Sequence, residues 1–242
     1  MKLIRCTLSN PKHSLMQNKS IIVALDTVTL NETSSIIAEL DPSKCMVKVG
    51  SVLFNAEGRA ALDLVANAGF EIFFDLKFHD IPNTVRRSIE SFKGFPIKFF
   101  TIHLSGGKSM VSAAKEAAEL INAGCIGVSV LTSLSNEEAN TVYKRSIENT
   151  VCDMLELTKI SGCAGVVCSP LELKLAQTVI PNLIKITPGI RASQNKADDQ
   201  TRTLSAKAAI TQGADFLVIG RPITEAKDIG AAFDEIYHSI YE

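Results

Sequence analysis

The sequence lacks tryptophan, long apolar runs and any excess of one charge sign. Its 242 residues carry 25 basic and 26 acidic side chains, a formal net charge of −1 at pH 7. Because lysine and arginine form no block, the chain offers no basic surface for nucleic acid or for an anionic membrane. No apolar run is long enough for a signal peptide or a membrane span. We therefore expect a cytoplasmic protein, with 46% hydrophobic residues to build a large core.

Cysteine is present but follows no pattern. The six cysteines form no C-x-x-C pair, and no histidine stands near them at metal-ligand spacing. We expect neither a disulfide framework nor a metal site, but apolar thiols in a reducing cytosol. The cysteines are Cys6, Cys45, Cys125, Cys152, Cys163 and Cys168.

Linkers and low-complexity tracts are missing as well. Glycine and proline stay at the junctions between periodic segments, so we expect one domain over residues 21–242. Residues 1–20 mix basic and polar side chains with Pro11 and show no apolar periodicity. We expect them to form a loose leader outside the fold, and whether Met16 is the true start stays open.

Short apolar runs alternate with helical patterns along the whole chain. Continuous apolar runs are typical of strands covered on both faces, and alternation with helices favours a parallel sheet. Eight such units in about this length fit a (β/α)8 barrel, or TIM barrel, better than an open sheet. The predicted strands are Ile21–Leu25, Cys45–Val49, Phe70–Phe74, Ile97–Ile102, Ile126–Leu131, Gly165–Val167, Leu183–Ile186 and Phe216–Ile219.

The helical patterns agree with this fold. Glu57–Ala68 and Lys108–Ala123 each carry an apolar stripe, and each is followed by a glycine suited to cap a helix. The connection after the fifth run is the longest. Because Ser135–Arg145 and Thr150–Ile160 are both helix-like, we expect that connection to contain an extra helix.

The motif D-L-K-F-H-D-I-P-N-T occupies residues 75–84, at the carboxyl end of the third run. Residues two apart on a strand point the same way, so Asp75 and Lys77 are expected side by side. Asp80 follows, and Pro82 marks the start of a helix. A cluster of three charges is either a structural ion-pair network or a working site.

The ends of the other predicted strands decide between these two interpretations. In a (β/α)8 barrel, catalytic side chains come from the carboxyl ends of the strands and the loops that follow them. Ionisable and polar residues gather at these ends, which favours a functional site. They are Asp26, Lys48, His103, Thr132, Ser133, Arg191 and Arg221.

The loops after the seventh and eighth strands indicate a phosphate-binding site. Gly189 allows close backbone approach, Arg191 offers a fork of donors, and Gly220-Arg221 opens the last helical segment. The alternative is that both arginines are solvated loop residues. Residues 192–201 are polar and lack apolar anchors, which is typical of a mobile lid.

The motif at residues 75–84 resembles the signature of orotidine 5'-phosphate decarboxylases, and the resemblance extends from Ile21 onward. A-L-D ending at Asp26, K-V-G from Lys48, V-L-T-S around Thr132, T-P-G-I-R ending at Arg191, and I-G-R-P at 219–222 follow the order of that family. The resemblance implies decarboxylation of orotidine 5'-monophosphate to uridine 5'-monophosphate (UMP) in pyrimidine synthesis, with no metal and no cofactor.

The resemblance also implies roles for individual residues. Lys77 would be the proton donor, and Asp75 would lie beside the substrate carboxylate. Lys48 and Asp80 would complete an alternating charge array, with Asp80 reaching the site of the other subunit of a homodimer. The remaining contacts would go to the ribose from Asp26 and Lys48, to the nucleotide from Thr84 and Thr132, and to the phosphate from Arg191, Gln200, Gly220 and Arg221.

Two other functions stay open. A related barrel enzyme, a magnesium-dependent sugar-phosphate decarboxylase or aldolase, would use a similar D-x-K pair but would need carboxylates spaced for a metal. A phosphate-binding barrel without catalysis would leave the charged cluster unexplained. His79 is expected to pack or to form a hydrogen bond, His103 to support the site through a hydrogen bond, and Ser129 to face either the pyrimidine or the barrel interior.

Overall fold

A computed structural model describes residues 19–191 and 204–241 of the chain, with only the backbone at Arg191. Within this part, eight parallel strands close into a barrel in the order β1, β2, β3, β4, β5, β6, β7 and β10. The predicted single-domain (β/α)8 barrel is therefore confirmed. The barrel strands are β1 (Ile21–Leu25), β2 (Cys45–Gly50), β3 (Ile72–Phe78), β4 (Ile97–His103), β5 (Gly124–Val128), β6 (Gly165–Val167), β7 (Ile184–Thr187) and β10 (Phe216–Ile219).

Helices follow the strands around the outside. They are α1 (Leu30–Ala38), α2 (Ser51–Glu57), α3 (Arg59–Asn67), α4 (Pro82–Glu90), α5 (Gly107–Leu120), α6 (Asn136–Tyr143), α7 (Ile147–Ile160), α8 (Leu173–Val179), α9 (Ala206–Thr211), α10 (Arg221–Thr224) and α11 (Ile229–Tyr241), with 3-10 turns at Leu104–Gly106 and Pro170–Glu172. The predicted extra helix after β5 is confirmed by α6 and α7. Of the helices in the described ranges, none has the length and the apolar character that crossing a bilayer requires.

Several predicted boundaries were wrong, among them the strand predicted over Phe70–Phe74, because β3 spans Ile72–Phe78. The helix expected over Glu57–Ala68 is broken by Gly58, whose φ of 59° ends α2 before α3 begins. Strand β5 starts at Gly124 and ends at Val128, because pairing with β4 sets its position and Gly124 lies opposite Phe99. A Cβ on Gly124 would lie 2.8 Å from the Phe99 ring, so glycine serves packing here and not a helix cap.

Two short strands were not predicted. Ile190–Arg191 (β8) pairs in parallel with Leu204–Ser205 (β9), forming a separate two-stranded sheet beyond β7. The predicted lid over residues 192–201, including Gln200, lies between them and outside the described residues. Residues 1–18 of the predicted leader also lie outside the described part. Ser20 donates its N–H to the hydroxyl of Tyr241 at 2.9 Å.

Side chains alternate between the two faces of each strand, so the protein has two separate hydrophobic cores. One contains residues from strands only and fills the centre of the barrel. The other joins the opposite faces of the same strands to the helices, and the buried Cys45, Cys125, Cys163 and Cys168 belong to it. Burial raises the pKa of Cys45 to about 12, as expected for an inert thiol. The central core consists of Ile22, Met46, Phe73, Phe99, Ile126, Ile184, Ile186 and Phe216.

Candidate active site

The charged cluster lies one layer above the central core, at the carboxyl ends of neighbouring strands. Side chains two residues apart share a face, so Lys48 stands above Met46, and Asp75 stands above Phe73. The apolar layer closes the bottom of the site. Strand order places β1, β2, β3 and β4 side by side, which brings their carboxyl ends to one part of the barrel mouth.

The cluster is a chain of alternating charges. Lys48 Nζ lies 2.7 Å from Asp26 Oδ1 and 4.0 Å from Asp75 Oδ2. Lys77 Nζ lies 3.0 Å from both carboxylate oxygens of Asp75. Gly50 leaves room for the contact between Lys48 and Asp26, because a Cβ there would lie 2.7 Å from Lys48 Nζ. The structure therefore brings together four of the predicted site residues, Asp26, Lys48, Asp75 and Lys77.

Burial changes along this chain of charges. The side chains of Lys48 and Asp75 are 11% and 12% exposed, whereas those of Lys77 and Asp26 are 33% and 54% exposed. Two opposite unit charges 4 Å apart attract by about 4 kcal/mol at an effective dielectric of about 20. Alternation gives each buried ion a partner of opposite sign, which offsets its desolvation. Lys77 is thus held by Asp75 while remaining accessible from the mouth.

The backbone at Lys77 departs from the regular strand that the sequence predicted. Its φ is 52°, in the left-handed region, and the pairing of β3 with β4 shifts register between Phe74 and Phe78. A non-glycine residue in this region costs about 1–2 kcal/mol. The predicted meeting of Lys77 with Asp75 is confirmed, but the reason given for it was incomplete, because a local bulge and not simple alternation aims the ammonium.

Thr101 is a residue of the site that the sequence did not identify. It lies on β4, fully buried, and its hydroxyl donates to Asp75 Oδ1 at 2.9 Å. Thr101 Oγ1 also accepts the backbone N–H of Lys77 at 2.9 Å. The signal that was present is weak: one polar residue within the apolar run Phe99 to Ile102. Because threonine is β-branched and common in strands, its presence at position 101 does not by itself indicate a functional residue.

Asp80 does not join the cluster within this chain. Its side chain accepts the N–H of Ile81 at 2.6 Å, and both residues are exposed. In residues 19–191 and 204–241 Asp80 forms no ion pair with Lys48 or Lys77. Three charged residues were predicted to converge. Within a single chain Asp75 and Lys77 meet, and Asp80 does not join them.

The predicted phosphate-binding residues are described only in part. Gly189 has a φ of 78°, which suits the close turn expected between β7 and β8. Gly220 precedes α10 and lies beside β1, since a Cβ on it would be 3.4 Å from that of Ala24. Arg221 is exposed at the first position of α10. The side chain of Arg191 and all of Gln200 lie outside the described part.

The other predicted contacts lie at the ends of their elements. Thr84 is exposed in the first turn of α4, and Thr132 is half-buried after β5. Ser129 donates to the carbonyl of Val167 at 3.3 Å, so it bonds to the neighbouring strand β6. In the described ranges no hydrogen bond joins these three residues to the charged cluster.

The two histidines of this region form a pair. The rings of His79 and His103 lie 5.4 Å apart, and His79 packs close to Gly106. Burial lowers the pKa of His103, the positive charges of His79 and Lys77 lower it further, and Asp75 partly opposes them. Among the described residues, no group of three His, Cys, Asp or Glu side chains is arranged to hold a metal ion.

Comparison with known proteins agrees with this geometry. The model of the orotidine 5'-phosphate decarboxylase / HUMPS family matches residues 19–236. The orotidine 5'-phosphate decarboxylase of Teredinibacter turnerae is 39% identical over 226 residues, covering 91% of this chain and 97% of that protein. That of Laribacter hongkongensis is 41% identical over 215 residues, covering 86% and 87%. The crystal structure of the Lactobacillus acidophilus orotidine 5'-phosphate decarboxylase matches with a TM-score of 0.82 and 31% identity, covering 93% of this chain and 100% of that one. The chain therefore belongs to the orotidine 5'-phosphate decarboxylase / HUMPS family.

Proposed function

We propose that the protein decarboxylates orotidine 5'-monophosphate to UMP in pyrimidine synthesis, with neither a metal nor an organic cofactor. The observation that carries this proposal is the accessible Lys77 ammonium, fixed 3.0 Å from both oxygens of Asp75 at the barrel mouth. The names of relatives that are 39% and 41% identical over most of the chain support the same substrate.

The chemistry explains why a fixed cation is useful. Loss of carbon dioxide from an sp² ring carbon leaves an electron pair in the ring plane, where the π system cannot delocalise it. A cation placed there in advance stabilises the developing negative charge. Lys77 supplies this charge and then donates a proton to the same carbon, while Asp75 holds the ammonium in position.

One charge contact is too weak to account for a large acceleration. An attraction of about 4 kcal/mol corresponds to roughly a thousandfold in rate. Contacts remote from the reacting carbon must therefore hold the ring in place. Asp26 and Lys48 bind the ribose hydroxyls, Thr84 and Thr132 contact the nucleotide, and a cradle takes the phosphate. The cradle consists of Arg191, Gln200, Gly220 and Arg221.

The arrangement of Lys48 favours this function over the magnesium-dependent alternative. Its ammonium lies between the carboxylates of Asp26 and Asp75, the position that a bound cation would need. A lysine there pairs with both carboxylates without a metal. A sugar-phosphate decarboxylase or aldolase that ligates magnesium through these residues would first have to displace it.

One assay tests the proposal against both alternatives. Purified protein is mixed with orotidine 5'-monophosphate in the presence of excess chelator, and the absorbance of the substrate is followed. We expect turnover that the chelator does not change. Turnover lost with chelator and restored by magnesium would support the metal-dependent enzyme, and binding of UMP without turnover would support a barrel that only binds phosphate ligands.

We also propose a homodimer in which Asp80 acts in the site of the other subunit. Its carboxylate is exposed and bonds only locally to the N–H of Ile81 in the described part of the chain. Ile81 itself is 66% exposed beside the barrel mouth. A two-fold interface would cover Ile81 and carry Asp80 towards the partner's lysines.

Mixing two inactive variants tests this arrangement. Lys77→Ala and Asp80→Asn are unfolded together, refolded as mixed dimers and assayed. If Asp80 acts across the interface, one site of each mixed dimer has both native residues, and activity returns to at most about a quarter of the wild-type value. If Asp80 acts within its own chain, no mixed site is complete and no activity returns. We place the dimer in the cytoplasm, because the five described cysteines are all free thiols.

A further inference from the structure

Thr101 joins the two halves of the Asp75–Lys77 pair through one oxygen atom. A hydroxyl has one proton to donate and two lone pairs that accept. The Lys77 backbone N–H donates to Thr101 Oγ1 at 2.9 Å, so the hydroxyl proton is free to bind Asp75 Oδ1, also at 2.9 Å. Thr101 is fully buried, so water cannot substitute for it without entering the barrel.

The bond to Lys77 lies where β3 is irregular. Lys77 is in the left-handed region with a φ of 52°, and the register between β3 and β4 shifts around it. A backbone N–H at such a bulge has lost its partner in the regular ladder. Thr101 supplies that partner from the neighbouring strand. Its hydroxyl thereby stabilises the conformation that points the Lys77 side chain at Asp75.

The bond to Asp75 limits the rotation of the carboxylate. Asp75 Oδ1 accepts from Thr101 and from Lys77, whereas Oδ2 contacts Lys77 and lies 4.0 Å from Lys48. Without the hydroxyl, the two lysines alone would set the carboxylate plane. Both lysines have flexible side chains, so the plane would be less well defined.

We propose that Thr101 is a positioning residue for the decarboxylation, holding the Lys77 backbone and the Asp75 carboxylate in the reactive geometry. The inference rests on the proposed function. Thr101 lies on β4, on the opposite side of the barrel from β10, which Gly220 of the predicted phosphate cradle follows. Its loss should therefore reduce the rate of the chemical step and leave nucleotide binding nearly intact.

The test compares Thr101→Val with Thr101→Ser. Valine has almost the same shape as threonine but neither donates nor accepts, whereas serine keeps the hydroxyl. We expect kcat to fall about 10- to 100-fold in Thr101→Val and to stay within about threefold of wild type in Thr101→Ser. The KM for orotidine 5'-monophosphate and the dissociation constant of UMP should change less than about threefold in both variants.

Thr158→Val is the matched control. Thr158 is also fully buried, but its hydroxyl donates to the carbonyl of Met154 within α7, away from the site. This variant loses the same chemical group and should keep the wild-type kcat. UMP titration by calorimetry gives the fraction of folded sites in every variant, so that kcat is expressed per active site. If Thr101→Val does not fold, Thr101→Ala takes its place.

The outcomes separate the inference from the proposed function. A wild-type protein that does not decarboxylate orotidine 5'-monophosphate would overturn the proposed function, and with it the basis of the inference. A wild-type enzyme that turns over, together with a Thr101→Val kcat per site equal to wild type, would overturn the inference alone. A Thr101→Ser variant as impaired as Thr101→Val would also overturn it, because the hydroxyl would then not be the group that matters.

Discussion

Two regions of this barrel hold a lysine ammonium in different ways. Lys185 on β7 is fully buried, and its ammonium donates to the carbonyls of Pro181 and Leu183 at 3.0 Å each. Its backbone N–H donates to the carboxylate of Asp215 at 2.8 Å. At the mouth, Lys77 contacts a carboxylate but keeps a third of its side chain exposed.

The difference separates a structural charge from a functional one. The carbonyls that the Lys185 ammonium binds belong to the backbone, so this fully buried lysine holds the chain before β7. The Lys77 ammonium is held on one side by Asp75 and is open on the other. A cation that acts on a substrate needs this open side, and the strained backbone of Lys77 shows that the geometry is maintained at a cost in stability.

The largest expected effect is on activity at the open lysine. Lys77→Ala should lower kcat at least about 10³-fold, because it removes both the stabilising charge and the proton donor. UMP binding should remain measurable by calorimetry, since the phosphate cradle is untouched. Lys159→Ala, at an exposed position of α7, controls for the loss of one positive charge. Substantial turnover in purified Lys77→Ala would contradict the role of Lys77.

The enclosed lysine should affect stability and not chemistry. Lys185→Met keeps the length of the side chain but removes the two charge-assisted hydrogen bonds to the carbonyls of Pro181 and Leu183, and we expect a loss of about 3 kcal/mol in the free energy of unfolding. Urea denaturation measures it. Lys98→Met is the control, because Lys98 pairs with Glu71 at 3.4 Å on the surface and should cost less than about 1 kcal/mol. Equal losses in the two variants would show that the buried Lys185 contributes no more to the free energy of unfolding than a surface ion pair does.

The strain at Lys77 can be measured separately from its charge. Lys77→Gly and Lys77→Ala both remove the ammonium, but only glycine adopts a φ of 52° without penalty. We expect the glycine variant to be more stable than the alanine variant by about 1 kcal/mol in urea denaturation. The same comparison at Lys144, which caps α6 with a φ of 56°, should give the same sign. A more stable alanine variant at position 77 would show that this residue is not held in the left-handed region in solution.

Much of the fold could be predicted because its signals are local. Continuous apolar runs indicated the eight barrel strands, and glycines marked the junctions. The errors arose where a residue distant in sequence determines the boundary of an element. Strand β5 begins at Gly124 because β4 lies beside it with Phe99 in register, and no pattern within residues 124–131 contains that information.

The candidate site was predictable as a set of residues but not as a geometry. The positions of Asp26, Lys48, Asp75 and Lys77 at strand ends followed from the barrel rule. The left-handed backbone of Lys77 and the role of the Thr101 hydroxyl could not be predicted in this way. Both depend on how β3 pairs with β4, and Asp75 and Thr101, which this pairing brings together, are 26 residues apart in sequence. Asp80 could not be placed from one chain, since its predicted site belongs to a second copy.

The smallest expected effect concerns the histidine beside the mouth. Burial and the charges of His79 and Lys77 lower the pKa of His103, so the folded protein resists a proton that the unfolded chain binds near pH 6.5. The stability that neutral His103 contributes is therefore complete above about pH 6.5 and is lost as the pH falls below it. Because the ring is only partly buried, we expect about 0.5 kcal/mol between pH 7.5 and 5.5, measured as the excess pH dependence of unfolding in wild type over His103→Asn. If the two proteins lose stability in parallel on acidification, the surroundings of His103 do not lower its pKa, and neither burial nor the charges of His79 and Lys77 act on this ring as the contacts indicate.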